Sequence, residues 1–211
     1  MQNKLRDIFR SVTIDPITGL MKVNQTITKS HFLTYAPAAP AVASTNRFVT
    51  TTNMKLGAYN IANASPPDSL SRNVTITTTA AGTADTQGTV LVTGTDYNGE
   101  VITETITPVV GTTVAGAKAF ASVTAAVGAG WVINPDTPAN DTIVIGFGNV
   151  IGMPAKIKSG NVILVIWNQA IVTAPVVTYD HYAISLNTVS LYTAGDSTKK
   201  LIVGYIKYTG V

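Results

Sequence analysis

The sequence contains no cysteine and unusually few charged residues. Without thiols there can be no disulfide, no thiolate nucleophile and no thiolate metal site. Charged residues make up 12% of the chain, against roughly 25% in ordinary soluble domains. A soluble chain with so little charge usually buries much of its surface against partners, which favours an obligate oligomer or an assembly component. The alternative is a monomeric β-sandwich with a threonine-rich surface.

Long apolar runs are also missing. The run at residues 161–167 (NVILVIW) has only the length of a strand, far short of the ~18 residues that a membrane helix needs. Residues 1–10 carry charges throughout and have no apolar core, unlike a secretory signal. We therefore expect no membrane partner, and synthesis in a cytoplasm. With 211 residues the chain can bury a sizeable core, in one large domain or two small ones.

Residues with catalytic potential are few and scattered. Glu100 and Glu104 are the only glutamates, and on one face of a strand they would stand about 13 Å apart, farther than the carboxyl pair of a glycosidase. The only histidines are His31 and His181, and the pair Asp180-His181 is more typical of an ordinary hydrogen-bonded residue than of a base or metal ligand. No Gly-x-Ser-x-Gly elbow is present. The sequence predicts that the protein is not an enzyme.

Two loops superficially suggest ligand sites. Gly146, Gly148 and Gly152 follow a predicted strand in the manner of a phosphate-binding loop. However, the third glycine comes one place late, and Met153-Pro154 stands where the helix should begin. These glycines instead favour close strand packing or a bulge. Residues 135–141 could supply oxygen ligands to Ca²⁺ but lack the alternating acidic pattern of a dedicated loop. We expect no cofactor and no metal.

Strand signals dominate what is present. The stretch 89–107 is rich in Val, Ile, Leu and Thr, which pack well on a pleated, half-buried surface. Asp96-Tyr97-Asn98-Gly99 interrupts this stretch and predicts the turn of a β-hairpin. The turn is either a type I turn closed by a glycine bulge or a two-residue Asn-Gly turn. The two differ by one residue in pairing, so the face that carries Glu104 stays open.

Short strands separated by turn signals recur along most of the chain, a pattern typical of a sandwich or barrel. We expect an all-β fold with a β-sandwich or jelly-roll-like core over residues 73–211. An extended N-terminal arm and linker, residues 1–72, precede that core. The strands predicted for the core are 74–79, 89–95, 101–109, 119–127, 142–147, 161–167, 171–179, 181–186, 190–193 and 201–208.

The predicted arm contains two recognisable segments. Residues 4–10 predict a short helix with Leu5, Ile8 and Phe9 on one side. This helix has too few turns to be stable without a docking surface. The Pro/Ala-rich linker, residues 36–43, favours polyproline II. It is either a spacer within one protomer or an arm that lies along a neighbouring copy.

Charge is unevenly distributed along the chain. Residues 1–72 hold eight basic and three acidic side chains (+5), residues 73–150 hold one and six (−5), and residues 151–211 hold five and two (+3). An acidic middle between basic ends suits head-to-tail contact between copies. The basic residues are spread singly, without an arginine cluster, so nucleic acid is not an expected partner.

Four stretches resemble a pattern in virion structural proteins of tailed bacteriophages, and together they cover roughly residues 72–157. The stretches are 72–76 (RNVTI), 88–106 (GTVLVTGTDYNGEVITETI), 116–120 (GAKAF) and 145–154 (IGFGNVIGMP). The resemblance implies a structural, non-enzymatic particle component of the capsid cement, or decoration, type. Head fibres and tail-associated proteins carry similar modules, so a host-binding β-domain that adheres to polysaccharide is the alternative.

The resemblance also implies the partners. They are the major capsid protein and other copies of the chain itself, as a homotrimer, on the capsid surface of the virion after synthesis in the host bacterial cytoplasm. Combined with the charge layout, this makes the basic and apolar residues of the arm the candidate contacts with the capsid or a neighbour. These residues are Lys4, Leu5, Arg6, Ile8, Phe9 and Arg10.

Overall fold

A computed structural model describes residues 12–14, 21–23, 29–136, 139–191 and 193–209, with side chains between residues 32 and 206. Within these residues the chain forms β-strands and two short 3-10 helices, Met54–Leu56 and Ile184–Leu186, which confirms the predicted all-β fold. The strands are β1 (Val12–Ile14), β2 (Met21–Val23), β3 (Lys29–Tyr35), β4 (Ser44–Asn53), β5 (Arg72–Thr79), β6 (Thr89–Thr95), β7 (Val101–Ile106), β8 (Thr113–Phe120), β9 (Ser122–Ala129), β10 (Thr142–Gly152), β11 (Val162–Trp167), β12 (Ala170–Ile171), β13 (Val177–Thr178), β14 (Thr188–Ser190) and β15 (Leu201–Thr209).

Two sheets enclose the first core and form a sandwich. In one sheet the long β10 pairs with β5 along one edge and with β4 along the other, and β8 extends the sheet beyond β5. The other sheet has the order β7-β6-β9. Side chains alternate along each strand, so one set from each sheet is buried between the two layers. The largest apolar side chains of this core are Phe48, Ile76, Phe120, Ile143, Ile145 and Phe147.

A second core lies beside the C-terminal part of β10. There β14 pairs with residues 150–152 of β10, and β13 pairs with β14. The four-stranded sheet β12-β11-β15-β3 supplies the other layer. β10 contributes Phe147 to the first core and Ile151 to the second, so this one strand connects the two. The second core includes Ile151, Met153, Trp167, Val189, Leu201 and Tyr205.

The glycines of β10 allow close strand packing, as the sequence predicted. A Cβ atom on Gly146 would clash with the backbone carbonyl of Ser44 in β4. A Cβ atom on Gly152 would lie 2.8 Å from the Cβ of Ala119 in β8. Neither position begins a helix, because both lie inside β10.

Gly146→Ala should therefore displace β4 from β10. The obstacle is backbone rather than a movable side chain, so we expect the free energy of unfolding to fall by about 3 kcal/mol, as measured by urea denaturation. Gly116→Ala is the matched control and should cost less, because its Cβ would meet the carboxylate end of Glu104, a side chain that can shift at the expense of its own hydrogen bonds. An equal loss in the two variants would contradict the packing role of Gly146.

The hairpin of β6 and β7 has the type I turn with a glycine bulge. The Gly99 amide donates to the Asp96 carbonyl at 3.0 Å, and the Asp96 amide donates to the Glu100 carbonyl at 2.9 Å. Gly99 has a φ of +82°, which a residue without a Cβ adopts at no steric cost. The Asp96 carboxylate also accepts hydrogen bonds from the amides of Asn98 and Glu100. The Asp and Gly therefore have the roles predicted for them.

Glu104 connects this hairpin to β8. The register places Glu104 opposite Val92, which is buried in the first core. At the edge of the sheet, the Glu104 carboxylate accepts hydrogen bonds from the amides of Ala117 at 2.6 Å and Lys118 at 3.4 Å. Both amides lie where the register of β8 against β5 shifts. Glu104 thus satisfies donors that a β-bulge leaves unpaired.

The strand predicted at residues 181–186 is wrong. These residues form a bend followed by a 3-10 helix. The Asp180 carboxylate accepts hydrogen bonds from the amides of Tyr182 at 2.6 Å and Ala183 at 2.7 Å. Such local side-chain bonds compete with strand pairing for the same backbone groups, and here they prevail.

The single strand predicted at residues 119–127 is also wrong. This segment contains the end of β8 and most of β9, which separate at Ala121. β8 belongs to the sheet of β10, whereas β9 belongs to the three-stranded sheet. The chain therefore changes sheets at Ala121, a break that no glycine or proline marks in the sequence.

The described part of residues 1–72 packs against the rest of the chain. β3 pairs with β15, and β4 pairs with β10. In the Pro/Ala-rich linker, the Ala41 amide donates to the Asp68 carboxylate at 2.8 Å, and the Pro40 carbonyl accepts from the Ser197 amide at 2.9 Å. Of the two interpretations of the linker, this arrangement matches the spacer within one protomer.

Candidate interaction surface

The six predicted contact residues, Lys4, Leu5, Arg6, Ile8, Phe9 and Arg10, lie outside the described residues. Their contacts with a capsid or a neighbour stay predictions. The described residues nevertheless contain two outward sheet surfaces on which a partner can bind.

The first is the outward side of the four-stranded sheet. Val203 and Tyr205 of β15 point into the second core, so the alternate positions of the sheet point outward. Residues directly opposite in an antiparallel pair share a face. We call this surface the apolar outer face, and its members, aligned by the strand register, are Phe32, Leu164, Ile166, Ile171, Ile202 and Ile206.

The apolar outer face is exposed to solvent at both edges of the sheet. Phe32 is 60% exposed and Ile171 is 68% exposed. A Cβ atom on Gly204 would lie 2.8 Å from Phe32 Cζ and 3.5 Å from Leu164 Cβ, so the Phe32 ring covers the glycine beside Leu164. The four members between them, Leu164, Ile166, Ile202 and Ile206, are half-buried, and a partly exposed apolar surface of this kind is typical of an interaction site.

The sequence itself contains a signal for this face. Residues 161–167 (NVILVIW) and 201–206 (LIVGYI) are apolar almost without alternation. A strand with one solvated face alternates apolar and polar residues, whereas a strand covered on both faces reads as a continuous apolar run. The runs therefore indicate that both sides of the four-stranded sheet are covered in the working protein.

The second surface is the outward side of the three-stranded sheet, which we call the threonine face. Its positions alternate with Val90 and Val92, which are buried in the first core. Val101 at its edge is 75% exposed, and no position of the face carries a charge. The members are Leu91, Thr93, Thr95, Val101, Thr103, Thr105, Ser122, Ala125 and Val127.

The acidic segment, residues 73–150, does not form an acidic surface. Three of its six carboxylates are buried, those of Asp85, Asp96 and Asp141. Each accepts hydrogen bonds from nearby backbone amides. The charge layout therefore supports head-to-tail contact between copies less than the sequence alone suggested.

Asp85 and Asp141 form reciprocal hydrogen bonds, in which each carboxylate accepts from the other residue's backbone amide. The Asp85 carboxylate accepts from the Asp141 amide at 2.8 Å, and the Asp141 carboxylate accepts from the Asp85 amide at 3.1 Å. Asp85 also accepts from the Asn134 amide at 2.7 Å and from the Trp131 indole at 3.1 Å. Burial raises the pKa of Asp85, but these three hydrogen bonds outweigh burial and leave the pKa below its ordinary value. Asp141, one of the two carboxylates in the loop considered for Ca²⁺, thus accepts hydrogen bonds from backbone amides of the chain instead.

Arg72, the first residue of β5, is completely buried. Its guanidinium forms an ion pair with Asp68 at 2.6 Å and donates twice to the Gly148 carbonyl, at 3.0 and 2.6 Å. It also lies 4.9 Å from the centre of the Phe147 ring. Burial lowers the pKa of Arg72, and the charge of Asp68 opposes that effect. Because Asp68 also holds the Ala41 amide, this cluster fastens the Pro/Ala-rich linker to β5 and β10.

Asp180 and His181 do not form a catalytic pair. The amides of Ala183 and Tyr182 donate to the Asp180 carboxylate and hold its pKa below the ordinary value. The His181 ring packs edge-on against Tyr182, with 5.3 Å between the ring centres. Across the described residues, no three His, Asp or Glu side chains lie close enough together to hold a metal ion.

In the part of the chain that the structure describes, no helix has the length and hydropathy needed to cross a membrane. Comparisons with family models, with curated proteins and with solved structures found no match to this chain.

Proposed function

We propose that the chain is a capsid cement protein of a tailed bacteriophage, which binds the major capsid protein and other copies of itself without catalysing a reaction. The observation that carries the proposal is the threonine face, an uncharged outward sheet surface on a chain with 12% charged residues. Such surfaces can be covered by a partner without the desolvation penalty of an unpaired charge. The resemblance of residues 72–157 to virion proteins supports a particle as that partner.

The basic side chains of the arm steer the protein towards the capsid. On a helix, Arg6 and Arg10 would lie on the side away from Leu5 and Ile8, and Lys4 would lie at the edge of the apolar side, next to Ile8. Charges at the rim of an interface raise the association rate more than they raise affinity. The arm therefore acts in attachment, and the threonine face supplies buried area between subunits.

The location of the protein on purified virions tests the proposal. Gold-labelled antibody and quantitative mass spectrometry would give the position and the copy number. Cement predicts many copies distributed over the head. A few copies confined to the tail would overturn the proposal.

Removing the charge of the arm should slow attachment to undecorated heads. For the triple variant Lys4→Ala, Arg6→Ala and Arg10→Ala we expect about a tenfold lower association rate at low salt, with a smaller difference at high salt. Surface plasmon resonance on immobilised heads measures both. The matched control removes three exposed lysines from the sandwich, Lys55, Lys156 and Lys158, and should change the rate less. Equal effects would show that net charge, not the arm, controls attachment.

Two exposed tyrosines favour the second candidate, a host-binding domain. Tyr97 at the hairpin tip is 47% exposed, and Tyr182 is 84% exposed. An exposed ring offers an apolar face with a polar tip, which suits a sugar ring. Binding of host surface polysaccharide that is lost in Tyr182→Ala would favour this function over cement.

A further inference from the structure

We propose that residues 4–10 dock on the apolar outer face of their own chain through Leu5, Ile8 and Phe9. This inference is independent of the proposed function, because it concerns the free protein. It reassigns those three side chains from a capsid or neighbour to the chain's own four-stranded sheet. The basic residues Lys4, Arg6 and Arg10 then keep the role in attachment given to them above.

The area of the apolar outer face indicates what can cover it. Three of the strands contribute about five residues each and β12 only two, so with strands about 4.8 Å apart the face has an area of about 270 Å². A stable interface between two proteins buries about 800 Å² on each partner. The face is therefore too small to hold a second copy by itself. A seven-residue helix is about 10 Å long, so its apolar side fits on this surface.

The length of the chain between the segment and β3 lets the segment reach the face. β3 begins at Lys29, at the edge of the same sheet. Val12 of β1 pairs with Val23 of β2, so the hairpin brings its own start back beside its end. The longest path from Lys29 to Arg10 has three parts: the extended chain from Lys29 to Val23, the width of one strand pair, and two residues from Val12 to Arg10. Together they add up to at most about 35 Å.

Tethering favours the cis arrangement over a partner in solution. A short tether within one chain holds the segment at a high effective concentration near the face, which a partner in solution would have to match. The helix predicted for residues 4–10 is too short to be stable alone and needs an apolar surface. The spacing of Leu5, Ile8 and Phe9 places all three on the side that meets the sheet.

Thiol cross-linking tests the placement directly, since the chain has no cysteine of its own. Ile8→Cys combined with Ile171→Cys, at the end of the apolar outer face, should form an intramolecular link with a short bismaleimide. Ile8→Cys combined with Val101→Cys is the control, because Val101 is 75% exposed on the threonine face. The proposal would be overturned if the two cysteine pairs were linked equally, if the first pair were not linked, or if the first pair gave covalent dimers. Dimers would indicate that the segment is exchanged between copies.

A second measurement separates docking from accidental proximity. Phe9→Ser, added to the first cysteine pair, should reduce the docked fraction and the linking rate by about tenfold or more. The same change should increase binding of a dye that detects exposed apolar surface. Asp7→Ser, on the polar side of the same segment, is the matched control and should leave both readouts unchanged. If Phe9→Ser changes neither, the proposal is wrong, while the predicted effect of the triple basic variant on head binding still stands.

Discussion

Arg72→Ala should lower the free energy of unfolding by about 4 kcal/mol, because it leaves a buried carboxylate without its counter-ion. The Asp68 side chain is only 2% exposed and cannot recover its hydration while the fold persists. The change also removes both donors from the Gly148 carbonyl. Urea denaturation at neutral pH measures the loss.

A surface ion pair provides the control for Arg72. Lys199 and Asp196 are 3.3 Å apart with side chains 31% and 39% exposed. Exposed pairs contribute at most about 1 kcal/mol, so Lys199→Ala should have a small effect. A loss as large as that of Arg72→Ala would show that burial does not determine the cost.

A double-mutant cycle then isolates the ion pair itself. Arg72→Met with Asp68→Asn removes both charges but keeps an acceptor for the Ala41 amide, which Asp68 holds in the natural protein. We expect the double variant to be more stable than the sum of the two single losses implies, since removing both members of a buried pair costs less than removing one. Additive losses would contradict the coupling. Faster hydrogen exchange at the Ala41 amide in Arg72→Ala would show that the linker opens locally.

The parts of the fold that could be predicted are those decided by neighbouring residues. The hairpin turn follows from Asp96 and Gly99, which lie within four positions and act through backbone contacts of the same turn. The strands at 89–95 and 142–147 follow from composition, and their approximate positions are confirmed. Alternation and turn chemistry are local properties, so one sequence reveals them.

The parts that could not be predicted depend on contacts between distant residues. Arg72 donates to Gly148 across 76 positions of the chain, and Asp85 and Asp141 are 56 positions apart. A lone arginine or aspartate is normally solvated, so sequence alone assigned these residues to charge patches instead of the interior. Only the folded arrangement reveals that they hold loops together.

The apolar outer face is an intermediate case. The continuous apolar runs of β11 and β15 indicate strands with two covered sides, but they do not identify what covers the second side. The register adds which residues share that second side, because it puts Phe32 of β3 and Ile206 of β15 on one face.

The stability of the protein should also fall in acid, and Asp85 should account for a distinct part of that fall. Hydrogen bonds hold the pKa of Asp85 in the folded protein below its ordinary value, which in an unfolded chain is about 3.9. The folded state therefore favours the carboxylate. Its contribution is complete above about pH 4 and is lost as the pH falls through the lower, folded-state pKa.

Asp85→Asn should cost about 3 kcal/mol at neutral pH, because the amide presents one acceptor and a donor group to the three N–H groups that now bind the carboxylate. In acid the natural carboxyl is itself protonated, so the difference in stability between the two proteins should narrow as the pH falls.

Asp136→Asn, an exposed change in the same loop region, should stay within about 0.5 kcal/mol of the natural protein. Urea unfolding of all three proteins between about pH 3 and pH 7 measures these differences. Asp180 and Asp196, whose pKa values are also lowered by amide hydrogen bonds, leave some acid sensitivity in every variant. If the free energies of unfolding of Asp85→Asn and the natural protein differed by the same amount at every pH in this range, the titration of Asp85 would not be coupled to folding. Asp85 would then contribute only through its shape and its hydrogen bonds.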